Sequence, residues 1–129
     1  QDPVEVKVVA QKSFWTFEYP NVTVREVTGN ESATSFSNPN TLVMPTDRPV
    51  ELNITSKDWL HAFHAPEMGL KQDAFPGQWN SLLTQANNEG KFQLYCAEYC
   101  GAGHSNMFGT VDVRSQDGFE EWVTGQTGG

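Results

Sequence analysis

Cys96-Ala97-Glu98-Tyr99-Cys100-Gly101-Ala102-Gly103-His104-Ser105-Asn106-Met107 is the stretch on which the fold turns. Cys96, Cys100, His104 and Met107 fall at i, i+4, i+8 and i+11, the spacing of a helical stripe. Gly101 and Gly103 oppose a helix, since a glycine in a helix interior costs about 1 kcal/mol. The apolar positions that would complete a buried helix face are missing as well. The stretch therefore reads as a loop that carries chemistry, and the segments on either side decide what holds it.

Those segments read as strands. Phe92 to Tyr95 precedes the loop and Met107 to Val113 follows it. Further out, Val4, Val6 and Val8 alternate with Glu5 and Lys7, and Val50, Leu52 and Ile54 alternate in the same way, the period of half-buried strands. Phe14 to Tyr19 is an aromatic-rich strand expected to end at Pro20, with a separate short strand over Val22, Val24 and Val27. Residues 28–40 (TGNESATSFSNPN) are polar and turn-rich and read as a loop. Thr41 to Met44, Trp59 to Phe63 and Trp79 to Leu83 complete the strands. Pro66, Gly69, Pro76 and Gly77 predict loop between the last two. Phe119, Trp122 and Val123 at i, i+3 and i+4 predict one short helix. Short strands with frequent turn signals predict an all-β Greek-key sandwich or barrel, a single domain over residues 1–124 with a flexible glycine-rich tail over 125–129.

The loop holds the chain's two cysteines. Thiolate and thioether are soft ligands and imidazole suits copper, whereas zinc sites use Cys and His but rarely Met. A disulfide, common in exported domains, would leave His104 and Met107 without a role. A cysteine nucleophile with a histidine base would leave the second Cys and the Met idle. A mononuclear copper site of the blue type uses two His, one Cys and a weak Met. The second thiolate is what a two-copper centre with bridging sulfurs needs. Such a centre needs another nitrogen donor, and His61 and His64 remain. Their odd separation puts them on opposite faces of a regular strand, so at most one points at the metal loop. A mononuclear electron carrier and a copper-binding or chaperone domain are the alternatives.

The chain of 129 residues carries 16 acidic against 8 basic residues, a net charge of -8. That balance disfavours nucleic acid as a partner and suits a basic protein partner drawn in over a distance. No apolar run approaches the ~18 residues of a membrane span. The chain starts at Gln1 without a Met or a signal peptide, so it reads as a processed protein or an excised soluble domain.

Both halves of the motif resemble the copper A domain of cytochrome c oxidase subunit II, a family with the cupredoxin-like fold. The family's C-x-E-x-C-G-x-x-H-x-x-M is matched by Cys96 to Met107. Its D-V-x-H-S-F-x-V-P followed by G-x-K-x-D-x-x-P-G is similar to Asp58 to Pro66 and Gly69 to Gly77. The resemblance runs from about Val4 to Val123. The related centre of nitrous oxide reductase has Trp where Glu98 stands and His where Gly101 stands, which favours the oxidase.

The resemblance implies two copper ions bridged by Cys96 and Cys100, with His61 and His104 as nitrogen ligands. It implies Met107 as a weak ligand to one copper and the Glu98 carbonyl to the other. The Glu98 carboxylate would also hold magnesium at the contact with subunit I, where Asp73 is expected too. Electrons would come from cytochrome c, as a separate protein or as a domain fused beyond Gly129, and leave to haem a of subunit I. The domain by itself would be a soluble monomer without substrate chemistry. It would lie on the outer face of a respiratory membrane: periplasm, cell surface or intermembrane space. The full subunit would be anchored by preceding membrane helices. The family's outermost Trp, where electrons are taken up, falls at Ser13 or Phe14 here, leaving Phe14, Trp15 and Trp59 as candidates. Packing is the plainer role for Trp59. The family's Arg after Pro-Gly is Gln78. His64 reads as a surface or supporting residue. Asp58 is one candidate to orient an imidazole, with a solvated turn residue as the plainer expectation.

Overall fold

The computed structural model describes residues 3–11, 14–25, 31–58, 60–96 and 108–126, with side chains other than those of 21–25, 31–35, 96 and 108. In chain order the strands are β1 (Val4–Gln11), β2 (Phe14–Arg25), β3 (Glu31–Pro39), β4 (Thr41–Pro45), β5 (Val50–Ser56), β6 (His61–Ala65), β7 (Leu70–Ala74), β8 (Asn80–Thr84), β9 (Gly90–Cys96) and β10 (Phe108–Arg114). A helix, α1 (Gln116–Gln126), closes the chain. Among the described residues these strands form two five-stranded sheets, ordered β3-β2-β1-β5-β8 and β4-β10-β9-β6-β7. This is the all-β architecture with one C-terminal helix that the sequence predicts.

The alternation along each strand sets the core. Val4, Val6 and Val8 of β1, Trp15, Phe17 and Tyr19 of β2, and Val50, Leu52 and Ile54 of β5 are buried, with Glu5, Lys7, Glu18, Glu51 and Asn53 between them only partly so. They meet Leu42, Met44, Phe63, Leu94, Val111 and Val113 of the second sheet. One polar clamp crosses the interior: the Tyr19 hydroxyl donates to the Val43 carbonyl at 2.7 Å and accepts from the Val43 N–H at 2.8 Å. Helix α1 buries Phe119 and Val123, and Trp122 meets Tyr19 and Phe36 edge-on. The Ser115 hydroxyl accepts from the Gly118 N–H at 3.0 Å, capping the first helical turn. The helix includes Gly125 and Gln126.

Three expectations are corrected. Pro20 does not end a strand: β2 runs unbroken to Arg25, with a register shift against β3 between Tyr19 and Val22. A bulge is one of the few places in a sheet that accepts proline. Most of the 28–40 segment is strand β3, antiparallel to β2, rather than loop. It lies at a sheet edge, where polar side chains and proline are tolerated. The 66–77 segment holds a 3-10 turn at Pro66–Met68 and strand β7. Gly69 (φ 69) and Gly77 (φ 75) supply left-handed turns at its two ends, so the punctuation brackets a short strand without breaking it. Strand β6 starts at His61, and Trp59 lies outside the described residues.

Candidate metal centre

Of the expected ligands, the structure describes His61 and the backbone of Cys96, which lie on neighbouring strands. Strand β9 ends at Cys96 and β10 begins at Phe108, so the segment between them leaves and re-enters the second sheet between two adjacent antiparallel strands. Strand β6 lies on the other side of β9, with Phe63 in register with Cys96. His61 therefore starts the strand next to the one that ends in Cys96. Glu98, Cys100, His104 and Met107 lie outside the described residues, and only the backbone of Cys96 is described. Among the described residues no three His, Cys, Asp or Glu side chains form a metal-holding group.

His61 is fully buried, and His64 is half-buried beside Tyr95, ring centroids 6.5 Å apart. The two histidines have different surroundings, as their odd separation predicts. His61 Nε2 lies 2.7 Å from Asp58 Oδ1. Asp58 is fixed in turn: the Ser56 hydroxyl donates to the same Oδ1 at 3.2 Å, and the Asp58 N–H donates to Ser56 Oγ at 3.2 Å. Asp58 is thus no solvated turn residue. A carboxylate on Nε2 selects the tautomer with its proton there, making Nδ1 the lone-pair nitrogen, the arrangement of histidines that ligate metals. The residues present fit a copper site on this count.

A second set of bonds braces the same end. Asn40 sits in the left-handed region (φ 60), which Asn tolerates better than most residues. Its N–H donates to the Trp15 carbonyl at 2.9 Å, and its side-chain Oδ1 accepts from the Trp15 N–H at 3.0 Å. Its carbonyl accepts from the Thr110 N–H at 3.0 Å. A Cβ on Gly109 would stand 2.8 Å from that carbonyl oxygen, so the approach requires glycine. Asn40 thereby ties the first sheet to the residues that follow Met107. Sequence reading missed it. The available signal was an Asn at the end of a turn-rich stretch, but its partners are distant in the chain.

The remaining candidates are spread around this end. Trp15 is wholly buried and meets Phe63 edge-on at 5.8 Å, whereas Phe14, at the start of β2, is half-buried. Asp73 is half-buried on β7, in register with Ala62. Leu60 and Phe75, flanking His61 and its register partner Ala74, are exposed apolar side chains. Among the described residues no helix is long and apolar enough to cross a membrane.

The family model described as cytochrome c oxidase subunit II, periplasmic domain, matches residues 4–114. A cytochrome c oxidase subunit 2 from Synechocystis is 33% identical over 122 residues, covering 95% of this chain and 33% of that protein. A heme-copper oxidase subunit 2 from Aeropyrum pernix is 39% identical over 121 residues, covering 92% of this chain and 47% of that protein. The chain thus spans less than half the length of these two curated relatives. The crystal structure of the periplasmic domain of subunit II of cytochrome oxidase from Bradyrhizobium japonicum has the same fold. The TM-score is 0.77 at 24% identity, over 98% of this chain and 94% of that one. The fold is cupredoxin-like.

Proposed function

The chain belongs to the family of cytochrome c oxidase subunit II periplasmic domains, and on that premise we propose that it relays single electrons through a dinuclear copper centre. The donor is cytochrome c and the acceptor is haem a in subunit I of a terminal oxidase. Family membership places the domain on the extracytoplasmic side. The protein of which it is part acts as the electron-accepting subunit of an oxidase, and this domain makes and breaks no substrate bond.

His61, Cys96, Cys100, His104, Met107 and the Glu98 carbonyl would hold the metals, with both cysteines as thiolates. When bound, a copper pair held by these residues would supply a one-electron couple. The protein's part is to keep the ligands still. Asp58 fixes the His61 ring and its tautomer, and Asn40 braces the strand after Met107. The two sheets hold these braces in a packed core, and rigid elements keep a site to one geometry. Phe14 provides the solvent-reaching side of electron uptake. Asp73 and Glu98 face subunit I, where the Glu98 carboxylate contributes to a magnesium site in the assembled oxidase.

The observation that carries this reading is the buried His61, held by Asp58 at 2.7 Å on the strand beside Cys96. It is tested by rapid mixing of the copper-loaded domain with reduced cytochrome c. Electrons should pass to the domain, more slowly as salt screens the net charge of -8 from a basic donor. Absence of transfer, or a rate that salt leaves unchanged, contradicts the donor assignment.

A further inference from the structure

Strand β8 ends the first sheet, and among the described residues no second strand pairs with its outer edge. Such an edge is a template for pairing with another chain, and proteins blunt it with charge or proline. The other three sheet edges follow that rule. Strand β3 carries Glu31 and Pro39, β4 carries Pro45, and β7 carries Lys71 and Asp73. Strand β8, Asn80-Ser81-Leu82-Leu83-Thr84, has neither charge nor proline. A long side-chain bond ties its first residue to β7, from Asn80 Nδ2 to the Asp73 carbonyl at 3.4 Å.

The side chains alternate along this edge. Leu82 packs against the core, whereas Ser81, Leu83 and the preceding Trp79 are exposed. Trp79 and Leu83 are the most exposed large apolar side chains among the described residues, at 53% and 64%. They stand two positions to either side of Ser81. A two-fold axis through Ser81, perpendicular to the sheet, therefore sets Trp79 of each copy opposite Leu83 of the other, on one face. Directly opposed side chains on one face are the contacts that stabilise a sheet.

Charge points the same way. Residues 74–88 hold no Asp, Glu, Lys or Arg, in a chain of net charge -8, so two copies can meet here without direct repulsion. Glu51, in register with Leu83, lies one strand further in. In such a pair the two β5 strands are three strand spacings apart, about 14 Å. That exceeds the screening length of about 8 Å at physiological salt. Lys7 Nζ lies 5.8 Å from the centroid of the Trp79 ring. Each Trp79–Leu83 contact would thus be flanked by Lys7 of one copy and Glu51 of the other.

We propose that a second copy of this chain covers the β8 edge, the two β8 strands pairing antiparallel about Ser81 and joining both first sheets into one. The inference does not depend on the copper reading, and it departs from the monomer that the family resemblance implies. An edge of five residues is small against the roughly 1,200–2,000 Å² that stable interfaces bury. The pairing is therefore weak, and it is favoured where copies share one membrane.

Sedimentation equilibrium of the 129-residue chain tests this, with reductant present so that Cys96 and Cys100 cannot link copies. The mass should rise from 14.4 kDa toward twice that value as concentration reaches the millimolar range. Added salt should strengthen the association, because it screens the net repulsion between copies and leaves the apolar contacts intact. Amide signals that move with concentration should lie at residues 79–84. Leu83→Lys, which places a charge on the edge, should stay single at every concentration with an unchanged urea midpoint. A wild-type chain that stays single throughout overturns the proposal, whatever the variant does. So does association that salt weakens, or that Leu83→Lys leaves intact. A single chain whose 79–84 signals move on adding reduced cytochrome c overturns it too, and assigns the edge to the donor.

Discussion

His61 Nε2 and Asp58 Oδ1 stand 2.7 Å apart, the histidine fully buried and the carboxylate side chain 25% exposed. A carboxylate on the far nitrogen of a metal-ligating histidine fixes its tautomer and raises its basicity, and loss of such a partner typically weakens metal binding about 10–100-fold. Asp58→Asn should weaken copper binding by about that factor in a titration against a competing chelator, with little change in the fold by circular dichroism. An affinity equal to wild type would mean that the pair is structural.

Tyr19 joins the two sheets through two hydrogen bonds to Val43. Tyr19→Phe keeps the ring against Phe36 and Trp122 but strands the buried N–H and carbonyl of Val43. The expected loss is about 1–3 kcal/mol of stability, read from the urea midpoint of the copper-free protein.

Burial is the main cause that raises the Tyr19 hydroxyl pKa far above its ordinary value of 10.0; Asp112 adds to it and the bond to Val43 opposes it. The unfolded chain therefore loses this proton at lower pH than the folded one. The resulting stability is whole below about pH 10 and drains away as pH climbs beyond it. Melting temperatures measured across that range should fall more steeply for wild type than for Tyr19→Phe. Parallel curves would exclude the effect.

At Gly109 a Cβ would stand 2.8 Å from the Asn40 carbonyl oxygen and 3.0 Å from a Leu94 methyl. The first neighbour is backbone and cannot rotate away. Gly109→Ala should cost about 1–3 kcal/mol by overpacking and loosen the brace behind Met107. Urea unfolding checks the first effect, and broadened copper absorption bands would report the second.

Much of this was legible in the chain because the signals were local. Period-two alternation in Val4–Val8 and Val50–Ile54 marked strands whose inward faces form the core, and Gly101 and Gly103 kept the soft-ligand segment from being read as helix. Strand β3 was hidden because an edge strand need not alternate. Strand β7 was hidden because Gly69 and Gly77 signal turns whether they interrupt a segment or bound it. At the site, the sequence offers the soft-ligand residue types and Asp58 as one candidate support, but it gives no sign of Asn40. Asn40 works through a left-handed backbone and partners on β2 and β10. Asp58 lies three residues before His61, yet only the turn fixed by Ser56 shows that the two meet.

The central claim is that this domain holds two coppers sharing one electron. The direct measurement is copper content per chain together with the electron paramagnetic resonance spectrum of the oxidised, loaded protein. Two coppers per chain with one unpaired electron spread over both nuclei is the result predicted, with Cys100→Ser destroying the shared-electron signal. One copper per chain with a spectrum confined to a single nucleus, or Cu(I) bound without any oxidised signal, would contradict it.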